Sequence, residues 1–337
     1  MYSIAGLMKN SNPVVTIDIL LSTYNGYPYL KELLDSVLNQ TFKDWRLIVR
    51  DDGSSDGTCE TIQNYCKEFP DKITIVNNNE AHIGACQSFA RLLECSTAKY
   101  IMFCDQDDVW LPTKIAMTLN RMCEIESLHK GLPILVHTDL KVVDKDLGII
   151  SDSFWKFQHI NPDLKRINNM LIMNNVTGCT MMINKELKML SIPITEGSVM
   201  HDWWIALVAS VFGITEHINF ATILYRQHGR NDTGAMRYSP RYFMSRIGRV
   251  DETITFIRKI VTQSKIFNVA FKGCFSQDQF EVIYNFSTLL EKGRMKRLYD
   301  MLCYRYVGYG FLRNLGILVL WFVIRNSKET IAQSRTI

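Results

Sequence analysis

Three apolar stretches of this chain each run directly into a polar cluster, and no other feature limits its fold as strongly. Val14–Leu21 (VVTIDILL) stops at Ser22–Asn25, Arg46–Arg50 stops at Asp51–Asp56, and Tyr100–Cys104 (YIMFC) stops at Asp105–Asp108. The runs are short and rich in β-branched or aromatic residues, so they read as buried strands. Between them the apolar spacing turns helical. Leu30, Leu33, Leu34, Val37 and Leu38 mark one buried helical stripe, and Ile62, Tyr65, Cys66 and Phe69 mark a second. Ile73–Val76 gives a further strand, and Phe89, Leu92 and Leu93 a further helix. Repeated strand–helix units with strands apolar on both faces predict an α/β fold: a mostly parallel central sheet flanked by helices, with ligands bound at the carboxyl ends of its strands.

The pattern continues past Pro112 as a long helix, a strand over Ile134–Val143, an aromatic stretch at Ser153–His159, and a strand over Val176–Asn184. A helix over His201–Gly213 and a strand over Ile218–Arg226 follow. From Pro240 the sequence becomes helical and basic. A boundary near 235–240 divides a body of residues 1–238 from a helical, basic C-terminal region, 239–337.

A chain of 337 residues, 47% of them hydrophobic, can bury a large core, and its moderate charge argues against disorder. The first dozen residues carry no basic stretch followed by an apolar core, which predicts a protein that stays in the cytoplasm. Nine cysteines, an odd number scattered from Cys59 to Cys303 without a CxxC pair, read as reduced core thiols. The net charge of +4 conceals an asymmetry: residues 225–337 hold 19 Lys and Arg against 8 Asp and Glu, and residues 1–224 hold 19 against 26. A basic, aromatic tail without zinc-finger or RNA-binding spacing suits a membrane surface better than nucleic acid.

Asp105, Asp107 and Asp108 crowd the end of one strand, where mutual repulsion raises carboxylate pKa values unless a cation is present. Mg²⁺ or Mn²⁺ takes a few carboxylates and completes its shell with water and phosphate oxygens, which suits a short acidic loop. In Asp51-Asp52-Gly53-Ser54-Ser55-Asp56-Gly57-Thr58, either Ser55 or Asp56 suffices to cap the following helix. Asp51 and Asp52 are then left to hydrogen-bond a nucleobase or ribose.

Thr23-Tyr24-Asn25, DDGSSDGT and the DQDD beyond Gly84 together resemble the inverting family-two nucleotide-sugar glycosyltransferases of GT-A fold, over roughly residues 14–230. The resemblance implies nucleoside contacts at Thr23, Tyr24, Asn25, Asp51 and Asp52. It implies ribose and metal contacts at Asp105, and a metal ligand at Asp107. It makes Asp202, in His201-Asp202-Trp203-Trp204, the general base for the acceptor hydroxyl, with Trp203, Trp204 and His201 beside the sugar. In Tyr225–Asp232 it makes His228 a metal ligand and Arg226 or Arg230 partners of the diphosphate. Family members carry A-R-N where this chain has Phe89, Ala90 and a displaced Arg91, which leaves base recognition open around Arg91. His201 stands where a Glu is usual. The Gln-x-x-Arg-Trp motif of processive synthases is absent, which implies single sugar additions.

CDQDDVW, HTDLKVVD, HDWWIALVAS and YRQHGRNDTG resemble the bacterial rhamnosyltransferase-like branch that builds surface polysaccharides such as O-antigen. That implies a dTDP-L-rhamnose donor and a glycan or glycolipid acceptor. In the tail, Asn314–Ile324 (NLGILVLWFVI) is shorter than the roughly 20 apolar residues a spanning helix needs. It reads either as a helix lying in the inner membrane interface or as one packed on the body. A decayed, nucleotide-binding scaffold protein is the rival reading. A sugar-phosphate nucleotidyltransferase fits worse, because STYNGYPY offers no basic residue for a phosphate loop.

Overall fold

A computed structural model describes residues 16–76, 82–229 and 250–324. The body is a nine-stranded mixed sheet. Its first half alternates as the apolar pattern predicts: β1 (Ile17–Thr23), α1 (Tyr27–Leu38), β2 (Trp45–Asp51), α2 (Thr58–Glu68), β3 (Ile73–Ile75), α3 (Gly84–Cys95) and β4 (Tyr100–Cys104). β3, β2, β1 and β4 lie side by side and parallel. Their carboxyl ends therefore share one edge of the sheet.

The second half departs from the parallel expectation. It comprises β5 (Val109–Trp110), α4 (Lys114–Leu128), β6 (Ile134–Val143), β7 (Ile149–Ser151), α5 (Phe154–Gln158), α6 (Ile167–Met170), β8 (Met182–Asn184), α7 (Lys185–Ser191), α8 (His201–Phe212) and β9 (Ile214–Arg226). β8 is antiparallel to both β4 and β6, β7 is antiparallel to β6, and β5 is antiparallel to β9; only β6 and β9 pair in parallel. Apolarity reports burial and not strand direction, so the sequence pattern could not separate these pairings. The strand expected over Val176–Asn184 is reduced to β8, because residues Gly178–Thr180 turn into a 3-10 helix.

Both faces of the sheet are covered. On one side Leu30, Leu33, Leu34 and Val37 of α1 pack with Ile17, Ile19 and Leu21; on the other Leu92 and Leu93 of α3 and Trp204–Ala209 of α8 pack with Leu20, Ile101 and Phe103. Asp18, the one carboxylate within β1, is fully buried and satisfied. It pairs with Arg46 at 3.0 Å and accepts hydrogen bonds from Ser96 Oγ and the amides of Thr97 and Ala98.

The C-terminal helices are α9 (Val250–Ala270), α10 (Gln277–Ser287), α11 (Arg294–Cys303) and α12 (Phe311–Val323). They continue the same core, for Phe267 meets Trp204 edge-on at 5.5 Å and Trp321 meets Phe286 at 5.7 Å. Residues 235–240, where the boundary was expected, lie outside the described residues. Among the described residues no helix is long and apolar enough to cross a membrane. The expectation of core thiols holds for only part of the set: Cys104 and Cys179 are buried, while Cys95, Cys123, Cys274 and Cys303 are exposed.

Candidate active site

The carboxyl ends of β1 and β2 are tied to each other by side chains. Thr23 Oγ1 donates to Asp51 Oδ2 at 2.8 Å, and Asp51 also accepts from Ser54 Oγ at 2.6 Å and from the amides of Gly53 and Ser54. Burial would raise the Asp51 pKa, but the Ser54 hydroxyl and amide, Cys59 and Thr23 hold it below the usual value. Asn25 adopts φ 50°, donates its amide to Ser54 Oγ and accepts from Ser55 N–H. Tyr24 remains exposed, its ring 4.3 Å from that of His82.

Asp52 is 2% exposed. It pairs with Arg50 at 2.5 Å and accepts from the amides of Ile83 and Gly84 at 3.0 and 2.8 Å. Burial opposes its ionisation, and those amides and the guanidinium outweigh it, holding the carboxyl below its ordinary range. Gly84 reaches this carboxylate at φ +80°, a conformation that favours glycine. The carboxylate thus joins β2 to the start of α3. Asp51 likewise is occupied by protein partners. α2 is capped at Gly57 without a side-chain bond, while Asp56 accepts from Thr58 N–H just inside the helix.

The acidic loop follows β4. Gln106, the middle residue of Asp105-Gln106-Asp107, accepts from Tyr24 N–H at 2.8 Å and donates to Tyr24 O at 3.0 Å, locking the loop after β4 to the loop after β1. A Cβ on Gly26 would stand 2.3 Å from Gln106 Oε1, so this clamp requires glycine there. Nothing in the sequence marked Gln106.

β5 carries the acidic loop back to β9, pairing Val109 with Leu224 and Trp110 with Ile223. The end of β9 then lies against the loop. His228 Nε2 stands 2.7 Å from Asp107 Oδ2 and stacks on Tyr29 at 4.7 Å. Arg226 is 2% exposed; it donates to Asp107 O and Lys145 O, pairs with Glu32, and lies over the Tyr29 ring. Its guanidinium is therefore held by protein partners. Arg230 lies outside the described residues.

Asp108 is fully buried beneath this loop, and burial together with Asp107 and Asp105 pushes its carboxyl well above the usual value. Its Oδ2 has no hydrogen-bond partner among the described residues. Ligand atoms of Asp105, Asp108 and Cys179 lie within 4.8 Å of one another. The Asp105 and Asp108 oxygens are the hard donors a divalent cation takes, and one would satisfy Asp108 Oδ2; the Cys179 thiol, pushed well up by burial, is not such a donor. The nearness of Cys179 to the acidic loop was not legible in the sequence.

Asp202 lies in the first turn of α8, whose N-cap is Met200. Its carboxylate accepts from the amides of Gly178 at 3.0 Å and Trp203. Burial outweighs these bonds and pushes its pKa up to about 7. Gly178 approaches so closely that a Cβ would stand 3.1 Å from His201 Nε2. His201 itself is buried against Phe89 and Phe103, and burial holds its pKa down to about 3, so it is neutral. Trp203 and Trp204 are 5% and 1% exposed and donate their indole N–H groups to Met170 O and Ser191 O. They are core residues, and the expectation that they stack on a sugar does not match their burial. Arg91 pairs with Glu94 and, with Ile83, Cys86, Gln87 and Glu196, lines a cleft of about 630 Å³; Ile83 is the residue whose amide reaches Asp52 at the end of β2.

Parallel strands ending at one edge, with an acidic loop clamped there, form a sheet of GT-A type, the fold of nucleotide-sugar transferases. The glycosyl transferase family 2 profile matches residues 18–186, and the chain belongs to that family. An uncharacterized glycosyltransferase of Haemophilus influenzae is 24% identical over 90% of this chain and 95% of its own length. The dTDP-rhamnosyl transferase RfbG of Shigella flexneri is 27% identical over 77% of this chain and 87% of its own. In fold, the chain is similar to the mannosyltransferase PcManGT of Pyrobaculum calidifontis, solved with GDP-Man and Mn²⁺, with a TM-score of 0.52 and 14% identity over 86% and 73% of the two chains.

Proposed function

We propose that this glycosyltransferase is inverting and metal-dependent, and that it adds single L-rhamnose units from dTDP-L-rhamnose to a lipid-linked, growing cell-surface polysaccharide. The observation that carries the reading is the convergence of Asp105, Asp107, Asp108 and His228 at one mouth of the sheet. The raised carboxylate of Asp202 stands at the start of α8. The rhamnosyl donor rests on the likeness to RfbG, which extends over most of both chains.

In this reading Tyr24 and Asn25 receive the nucleoside, on a rim shaped by Thr23 and Asp51. Asp105 meets the ribose. Asp105 and Asp107, with His228 beside them and Asp108 beneath, would hold Mg²⁺ or Mn²⁺, and such an ion would supply positive charge to a leaving diphosphate. Asp202 takes the proton of the acceptor hydroxyl as its oxygen bonds to the anomeric carbon. The bond from that carbon to the diphosphate oxygen breaks on the opposite face, so configuration inverts. A base with a pKa of about 7 suits proton abstraction near neutral pH.

A panel of nucleotide sugars, each with Mn²⁺ or Mg²⁺, tests the donor. Thermal stabilisation by dTDP-L-rhamnose above the others is expected, followed by release of dTDP with a polyprenyl-diphosphate glycan acceptor. Preference for a different nucleotide sugar removes the rhamnosyl assignment, and indifference to metal removes the cation.

A further inference from the structure

The solvent face of α12 is apolar throughout. Phe311, Leu315, Val319, Phe322 and Val323 are 80%, 49%, 54%, 39% and 54% exposed, and no charged residue of this helix is exposed among those described. A helix on a soluble body ordinarily turns its polar side to water. The opposite side of α12 is securely packed: Trp321 is 1% exposed, and buried Arg297 donates to Trp321 O and Ile324 O. The apolar stripe is therefore presented by a docked helix.

α11, which packs against α12, carries an exposed apolar stripe of its own. Met295, Tyr299 and Leu302, at helical spacing, are 75%, 60% and 61% exposed. Arg294 sits 5.8 Å over the Phe322 ring, which places the start of α11 beside the end of α12, and Lys296 lies 4.6 Å over Tyr299. Cations thus stand beside exposed apolar side chains of both helices. From Lys292 to Ile337 the sequence holds nine Lys and Arg against two Asp and Glu, one of which, Asp300, is buried and paired with Lys292 and Lys296.

We infer that α11 and α12 form a platform that lies flat on an anionic lipid surface, with the apolar residues inserted to the depth of the acyl boundary and the basic residues among the headgroups. Aromatic and aliphatic side chains on one face, flanked by Lys and Arg, make up the chemistry of an interfacial helix, and exposed apolar surface of this extent marks an interaction site. The 13 residues of α12 span about 20 Å, enough to lie in the interface and too few to cross it. The inference is independent of the transferase chemistry, because it concerns a surface that none of the residues around Asp105 or Asp202 forms.

Flotation of the full chain with phosphatidylglycerol or phosphatidylcholine vesicles, at low and high salt and without donor or acceptor, tests it. Binding to phosphatidylglycerol that weakens at high salt is expected. In the double variant Leu315→Ser, Val319→Ser binding should fall about tenfold or more, since each change removes an inserted side chain. Both positions are at least half exposed or nearly so, and an unchanged unfolding midpoint shows that the variant folds. Arg294→Gln with Lys296→Gln should weaken binding and flatten its salt dependence. Failure to float with either lipid, or equal flotation with both, overturns the inference. A dimer that the Ser variant dissociates, with no vesicle binding, also overturns it and assigns the face to a second copy of the chain. Loss of donor binding with intact flotation would count against the catalytic reading alone.

Discussion

Asp107 Oδ2 and His228 Nε2 are 2.7 Å apart although 121 residues separate them in sequence. The contact exists because β5 doubles back onto β9, so the first acidic loop and the final strand of the body close on one another. If the pair helps hold a cation, Asp107→Ala should abolish metal-dependent stabilisation by nucleoside diphosphate and slow transfer by about a hundredfold or more. His228→Ala should weaken metal affinity by a smaller factor. Titration of Mn²⁺ against thermal midpoint separates the two variants, and metal dependence that survives in Asp107→Ala counts against the assignment.

Asp202 governs the expected pH response. The base form is the deprotonated carboxylate, so kcat/KM should climb with pH up to about 7, close to tenfold per unit, and level off above. Asp202→Asn should retain donor binding and lose transfer. A pH profile that remains sloped and active in Asp202→Asn would assign the base elsewhere.

The same carboxyl makes a prediction about stability. Its folded pKa lies above the unfolded value of about 4, so the folded state binds the proton more tightly, and stability falls as pH rises from about 4 through 7. Asp202→Asn removes that loss. Its unfolding midpoint relative to the unmodified chain should therefore be higher at pH 8 than at pH 4, as scanning calorimetry at the two pH values would record.

The Arg50–Asp52 pair lies wholly inside the protein. Asp52→Ala would leave the guanidinium buried beside Ser88 without its carboxylate and free the amides of Ile83 and Gly84. A loss of about 3–5 kcal/mol in urea unfolding is expected. Weaker nucleotide binding at unchanged stability would instead make Asp52 a direct nucleoside contact.

Trp204 separates packing from sugar contact. Trp204→Ala should cost about 3–5 kcal/mol, because it empties a core position against Phe267 and orphans Ser191 O. Trp204→Phe should recover most of that stability and leave the acceptor KM unchanged. A large KM effect in the stable Phe variant would show that the indole meets substrate.

The apolar periodicity carried most of the body of this fold. Tyr100–Cys104 and Ile134–Val143 form strands over the expected residues, and the polar clusters after the first, second and fourth strands do meet at one edge. What escaped was encoded in contacts. β5 is two residues long, below the length at which a period can be read. Gly178–Thr180 bends because the Gly178 amide meets Asp202 and Thr180 Oγ1 meets Thr177 O. Trp203 and Trp204 looked like sugar platforms, yet adjacent indoles at a helix start are equally able to enter a core, and only the positions of Met170 O and Ser191 O decide between the two. The protein partners of Asp52 and Arg226, which are Arg50 and Glu32, left no mark in the sequence, because ion pairs formed by the fold have no signature in one dimension.

Pairing of β5 with β9 also bears on the order in which the enzyme can become competent during synthesis. A nascent chain that has emerged only through α8 already holds Asp105, Asp107, Asp108 and Asp202, but lacks the strand that fastens the acidic loop and delivers His228. Such an unfinished polypeptide has the carboxylates without their clasp, so the contact of Asp107 with His228 can form only after the last strand of the sheet has been made.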